Sequence, residues 1–239
     1  MRKKTEKPER PLVKTINPKA LAKHRKRFLK FFPKGFKDQR YMEWERDYKW
    51  GAHELWDENL NEKDFKILLR KREYIDIAKK ALQVESRTTF LFSFEKMALR
   101  DAVNTADGAS IFAEGIYELL YGKGPAKERF IQWIMAVAEL PRKKSRVLSW
   151  PVLTLFPYLA QPSKYMIMKP NAMRFAAKEL GYDLEYSSKP NWNCYADLVR
   201  LADLVGEGIA DLKPRDYHDL QTFLWVIGSP EYDRIEQEL

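Results

Sequence analysis

The chain has 239 residues, 45% of them hydrophobic and 13% aromatic, with 43 Lys/Arg against 34 Asp/Glu. So many large apolar side chains exclude a disordered chain, because burying them offsets the entropy of ordering; the length serves one large domain or two small ones. A single cysteine, Cys194, and three scattered histidines, His24, His53 and His218, exclude an internal disulfide and a cysteine–histidine zinc site and fit a reducing compartment. No metal and no cofactor is expected.

The net charge of +9 is unevenly placed. Residues 1–40 hold fifteen Lys/Arg and three acids, which leaves 28 basic and 31 acidic groups in the rest. An anionic partner is therefore expected at an N-terminal arm and not at the body. Residues 1–16, with Pro8 and Pro11 and little apolar content, read as disordered. No apolar stretch of signal-peptide length follows Met1-Arg2-Lys3-Lys4, and the most apolar window, 147–160, is too short to span a bilayer. A cytoplasmic chain without a membrane partner is expected.

Asn17 predicts an N-cap and Pro18 the first position of a helix that runs to about Phe32, where Pro33 and Gly35 stop it. Leu21, Phe28, Leu29 and Phe32 form its apolar stripe. Lys19, Lys23, Arg25, Lys26, Arg27 and Lys30 cover the remaining surface. Such a helix contacts phosphate while its stripe docks on the body. An anionic membrane surface and a merely solvated face are the alternatives.

Asp38 predicts the cap of a helix with Tyr41, Trp44, Tyr48, Ala52 and Leu55 on its buried face, flanked by Trp50 and Trp56. Asn61 and Asp64 introduce one long helix with Phe65, Leu68, Leu69, Arg72, Ile75, Ala78 and Leu82 on one face. Ser86 is placed at the start of the next, through Phe90, Phe94, Met97 and Ala98. Thr105 opens a helix that Gly122 stops, and Pro125 opens another that ends near Pro141. Short links between amphipathic segments predict an all-α, irregular multi-helix bundle with a basic N-terminal arm. The arm is residues 1–36; 37–141 and 147–239 are two helical halves, as separate domains or one.

Arg142, Lys143, Lys144 and Arg146 make a second basic patch in the loop between the halves. Ser149 caps a helix that Pro157 should kink or end. Residues 165–168 read as a short extended stretch. Pro170 and Asn171 open a helix closed by Gly181 as a C′ glycine. Pro190 or Asn191 opens the next, and Pro214-Arg215-Asp216 the last, which Gly228 ends.

Glycine-rich phosphate loops, the Gly-x-Ser-x-Gly elbow and the His-Glu-x-x-His zinc helix are absent. The helix starts of the C-terminal half offer free N–H groups, with Lys169 and Arg215 as candidate anion-binding cations. Asp216, His218 and Asp219 are the candidate catalytic group, able to hold a divalent ion or share a proton. Asp216 as an N-cap with Asp219 in the first turn explains the same acids without chemistry.

The run Pro214-Arg215-Asp216-Tyr217-His218-Asp219-Leu220-Gln221-Thr222-Phe223-Leu224-Trp225-Val226, together with Trp150-Pro151-Val152-Leu153-Thr154 and Lys169-Pro170, resembles a family of uncharacterised bacterial helical proteins. The resemblance covers roughly the last ninety residues. It implies one packed unit over 147–228 and no particular catalytic role. The function expected is sequence-nonspecific nucleic-acid binding through the arm, in bacterial DNA metabolism or defence. A hydrolytic enzyme acting at the C-terminal helix starts and a protein–protein module around Trp44, Trp50 and Trp56 are the alternatives. The oligomeric state stays open.

Overall fold

A computed structural model describes residues 14–238. Asn17 turns the chain into α1 (Pro18–Phe31) by accepting from the backbone N–H groups of Lys19 and Ala20, which would otherwise be unpaired. Asp38 caps the short α2 (Gln39–Tyr41), which runs through a π-helical turn, Met42–Arg46, into α3 (Asp47–Leu60). There follow α4 (Glu62–Arg70), α5 (Tyr74–Ser86), α6 (Ser93–Val103), α7 (Ala106–Tyr121) and α8 (Ala126–Glu139). The chain continues through α9 (Trp150–Ala160), α10 (Pro170–Glu179), α11 (Trp192–Gly208), α12 (Tyr217–Gly228) and α13 (Pro230–Glu238). The described residues contain no strand, so the fold is the all-α multi-helix bundle that periodicity predicts. Among them no helix is long and apolar enough to cross a membrane.

Helix α9 is the centre of the packing. All of its residues are buried, and it lies against α3, α5, α7 and α8. The core therefore runs across the expected boundary at 141–147, and the buried residues form one continuous cluster. Pro157 does not end α9. Its missing N–H leaves the Leu153 carbonyl without a helical partner, and the Trp133 indole N–H fills the gap at 2.8 Å. The extended stretch 165–168 lies buried beside α9, its backbone satisfied by side chains. Tyr195 Oη accepts from the Met166 N–H at 3.0 Å and Thr154 Oγ1 from the Met168 N–H at 2.9 Å.

Several expectations need correction. The long helix after Asn61 breaks at Arg72, which takes a left-handed φ of 57°. Ser86 closes α5 instead of opening the next helix. That role falls to Phe92, whose N–H donates to the Glu95 carboxylate at 3.0 Å. Of the face expected from Tyr41, Trp44, Tyr48, Ala52 and Leu55, Tyr41 and Ala52 are buried, Tyr48 and Leu55 are half-buried and Trp44 is exposed; Glu45, Lys49 and Trp56 point inward in their place, and Trp50 is exposed. A further helix, α13, follows Gly228.

Helix α1 is an integral part of the bundle, not an appended arm. Phe28, Phe31 and Phe32 are completely buried, and α1 packs on α11 and α12. The disorder expected over 1–16 falls mostly on residues 1–13, outside the described residues. Lys14 is held by Asp197 at 2.8 Å and Glu185 at 3.0 Å, and the Asn17 N–H donates to the Leu180 carbonyl at 2.8 Å.

Candidate functional site

The cations predicted on α1 meet acids from three other parts of the chain. Lys23 lies 3.5 Å from Glu179 of α10, and Arg25 pairs with Asp211. Arg27 takes both Asp233 and Glu236 of α13, and Lys30 lies 3.1 Å from Glu236. Lys19 and Lys26 have no ion pair among the described residues. Four of the six are therefore partly neutralised, a fact that charge counting along the chain could not show.

The same pairing builds a groove. Between α1, α10 and α13 lies a cavity of about 680 Å³ lined by Lys23, Lys26, Arg27, Lys30, Glu179 and Phe175. Phe175 is 49% exposed, although an aromatic ring gains by burial. It stands off the apolar stripe of α10, which is Ala172, Met173, Ala176 and Ala177. On its other side a second groove of about 800 Å³ is lined by Arg174, Lys178 and Tyr186 among others. The Arg174 guanidinium sits 4.6 Å from the centre of the Tyr186 ring. Cations from α1 and α10 thus flank an exposed aromatic ring.

His24 also lines the first groove but is almost wholly buried, with Nε2 3.4 Å from a Glu179 carboxylate oxygen and Nδ1 without a partner among the described residues. Burial first, then Lys23 and Arg27, push its pKa down, against the pull of Glu179. The second predicted patch, Arg142, Lys143, Lys144 and Arg146, lies on the loop between α8 and α9 and forms no ion pair among the described residues.

The candidate catalytic group is differently placed. Asp216 caps α12, accepting from the His218 N–H at 2.9 Å, and receives Arg46 at 2.6 and 2.7 Å. Asp219 is completely buried. It accepts from the Tyr41 hydroxyl at 2.5 Å, from Arg46 at 3.1 Å, and from the Arg215 backbone N–H and guanidinium at 2.8 to 3.0 Å. His218 is fully buried too, with Nε2 3.3 Å from the Tyr158 carbonyl. Burial first, then Lys49 and Arg46, push its pKa well below the usual value, so it is neutral.

The oxygens of both acids are thus occupied, and Arg215 is spent on holding Asp219. The cluster clamps the Met42–Arg46 turn to α12. Among the described residues no three His, Cys, Asp or Glu side chains converge as a metal site.

Sequence reading missed the partners of this cluster. Lys49 is completely buried and donates to Glu45 at 2.9 Å, Gln221 at 2.8 Å and Thr222 at 2.6 Å. Three acceptors use all three ammonium hydrogens. Glu45 also accepts from the Tyr232 hydroxyl of α13 at 2.6 Å. Phe175 was missed as well, though an aromatic lying between Arg174 and Lys178 and off the apolar stripe was a readable signal. Lys169 donates to the Phe90 carbonyl at 2.6 Å and lies 4.7 Å from the Phe92 ring centre.

Comparison with family models, with curated proteins and with solved structures finds no match for this chain.

Proposed function

We propose that the protein binds nucleic acid across the face formed by α1 and α10, contacting phosphates without reading base sequence. The observation that supports this reading is the groove lined by Lys23, Lys26, Arg27 and Lys30 together with the exposed Phe175, with Glu179, Asp233 and Glu236 on the same lining. Lysine and arginine neutralise phosphates, and an exposed ring offers a surface on which an unpaired base stacks. The Lys23 and Lys30 sides of these pairs are exposed, so those pairs are worth little and yield to a competing phosphate at small cost, whereas Arg27 is mostly buried and held by two acids. The combination of cations with an aromatic favours single strands over duplex.

Fluorescence anisotropy with labelled single- and double-stranded oligonucleotides tests this over roughly 50 to 200 mM salt. The wild-type chain should lose affinity steeply with salt. A Lys23→Ala/Lys26→Ala/Lys30→Ala variant should lower the slope of log K against log salt by about 2 to 3. Phe175→Ala should weaken single-strand binding and leave duplex binding unchanged. Salt-independent binding, or a triple variant with the wild-type slope, rules the interface out.

A further inference from the structure

A second cavity, of about 340 Å³, lies where the Met42–Arg46 turn, residues 87–90, Lys169 and α12 meet. Four aromatic side chains, Trp44, Tyr48, Phe90 and Trp225, form its walls.

Gln221 is 1% exposed and lines this cavity. Its amide orientation is fixed by chemistry: an ammonium only donates, so the oxygen must face Lys49, and Oε1 also accepts from Tyr158 at 3.3 Å. The amide nitrogen then has two hydrogens, makes no hydrogen bond among the described residues, and is left to face the cavity.

Two cations join it. Arg87 and Lys169 line the cavity, and neither forms an ion pair among the described residues. Of the two acids of the lining, Glu45 is fully engaged, and Glu231 is exposed and forms no ion pair among the described residues. Glu45 accepts from Lys49 and Tyr232, and Glu231 accepts from the Trp225 indole N–H at 3.3 Å. Three donors thus face the cavity: the Gln221 NH2, the exposed Arg87 guanidinium at its rim, and the Lys169 ammonium, which spends one hydrogen on the Phe90 carbonyl.

We propose that this cavity binds a nucleotide unit, one planar heteroaromatic ring with one phosphate. The ring stacks within the aromatic walls, a ring acceptor takes the Gln221 N–H, and the phosphate lies against Arg87 and Lys169. The volume sits near the lower end for ligand cavities, which admits one ring and one anion and excludes a dinucleotide. The site does not depend on the groove at α1. Its ligand is either a free mononucleotide or the phosphorylated end of a strand.

The four nucleoside 5′-monophosphates and 5′-phosphorylated trinucleotides, titrated into the full chain while Trp fluorescence is read, test the proposal. At least one should saturate below roughly 1 mM. A trinucleotide that binds tighter than the monophosphates in the Lys23→Ala/Lys26→Ala/Lys30→Ala variant assigns the site to a strand end, and an equal or tighter monophosphate to a free nucleotide.

Arg87 is exposed and without a polar partner, so Arg87→Ala should fold normally and weaken binding about tenfold or more. Gln221→Glu keeps an acceptor for Lys49 but removes the donor and adds a repelling charge, and should abolish binding. The Lys23→Ala/Lys26→Ala/Lys30→Ala variant should bind the monophosphates as wild type does. No saturation by any of these ligands, wild-type affinity in Arg87→Ala and Gln221→Glu, or loss in the α1 variant overturns the assignment.

Discussion

Arg46 grips Asp216 with both terminal nitrogens, at 2.6 and 2.7 Å, across 170 residues of chain. Both side chains are almost fully buried, at 4% and 8% exposure. Removing Asp216 leaves Arg46 only its 3.1 Å contact to Asp219, and breaking a buried pair costs up to about 3 to 5 kcal/mol. Asp216→Asn keeps the α12 cap and isolates that loss, whereas Asp216→Ala should cost about 1 kcal/mol more for the cap. Urea denaturation of the two variants measures both. Near-wild-type stability of Asp216→Asn would show that the pair contributes nothing net.

This clamp explains where sequence reading stopped. Helix positions, caps at Asn17, Ser149 and Asn191, and the left-handed Gly181 follow from local rules, and the structure has them there. The inward face of α3 does not. Apolar periodicity selects Trp44 and Tyr48, but the π-helical turn, in which the Asp47 N–H reaches back to the Met42 carbonyl, sets Glu45, Arg46 and Lys49 inward. Charged residues go inside only when distant partners satisfy them, and those partners, Asp216, Asp219, Gln221 and Thr222, lie on α12. Likewise the acids that meet the α1 cations come from α10, α13 and the Ala210–Leu212 turn, so the chain's charge asymmetry overstated the free charge of α1.

Stability should fall as pH drops through the ordinary histidine value of 6.5. His218 is held neutral in the folded chain by burial, and then by Lys49 and Arg46 nearby. The unfolded chain takes up a proton at this position below 6.5 while the folded chain does not, so the stabilisation is complete above 6.5 and declines below it. His24 is depressed in the same direction by burial and by Lys23. A second decline belongs to Asp197. Burial pushes its carboxyl up, but Lys14 and Tyr182 outweigh this and hold it below the usual 3.8, so its contribution disappears only at more acid pH. Urea midpoints measured against pH should show both steps, and His218→Gln should flatten the first.

Gly228 was legible as a helix stop, yet its φ is not left-handed and its place has another cause. A Cβ there would lie 2.0 Å from the Ala172 carbonyl oxygen, because α12 meets the first turn of α10 at backbone distance. Gly228→Ala must push the two helices apart, at about 1 to 3 kcal/mol or more. A lowered melting temperature with unchanged helical circular dichroism at low temperature is the expected result; an unchanged melting temperature would mean that the contact relaxes freely.

The two acids of α13 connect stability to the proposed nucleic-acid interface. Asp233 and Glu236 are 56% and 34% exposed and sit on Arg27 and Lys30, while Tyr232 anchors the helix from beneath through Glu45. The Lys30 pair is exposed and contributes about 0 to 1 kcal/mol, and Arg27, only 17% exposed, loses both of its acids, so Asp233→Asn/Glu236→Gln should lower the urea midpoint modestly while the chain still folds. The same variant frees two cations facing the groove. If phosphates bind there, affinity for single-stranded oligonucleotides should rise, and the slope of log K against log salt should steepen by about 1 to 2. Unchanged affinity in a stably folded variant would place the phosphate contacts away from α13. A gain that vanishes when Lys26 and Lys30 are also replaced by alanine would place them on α1.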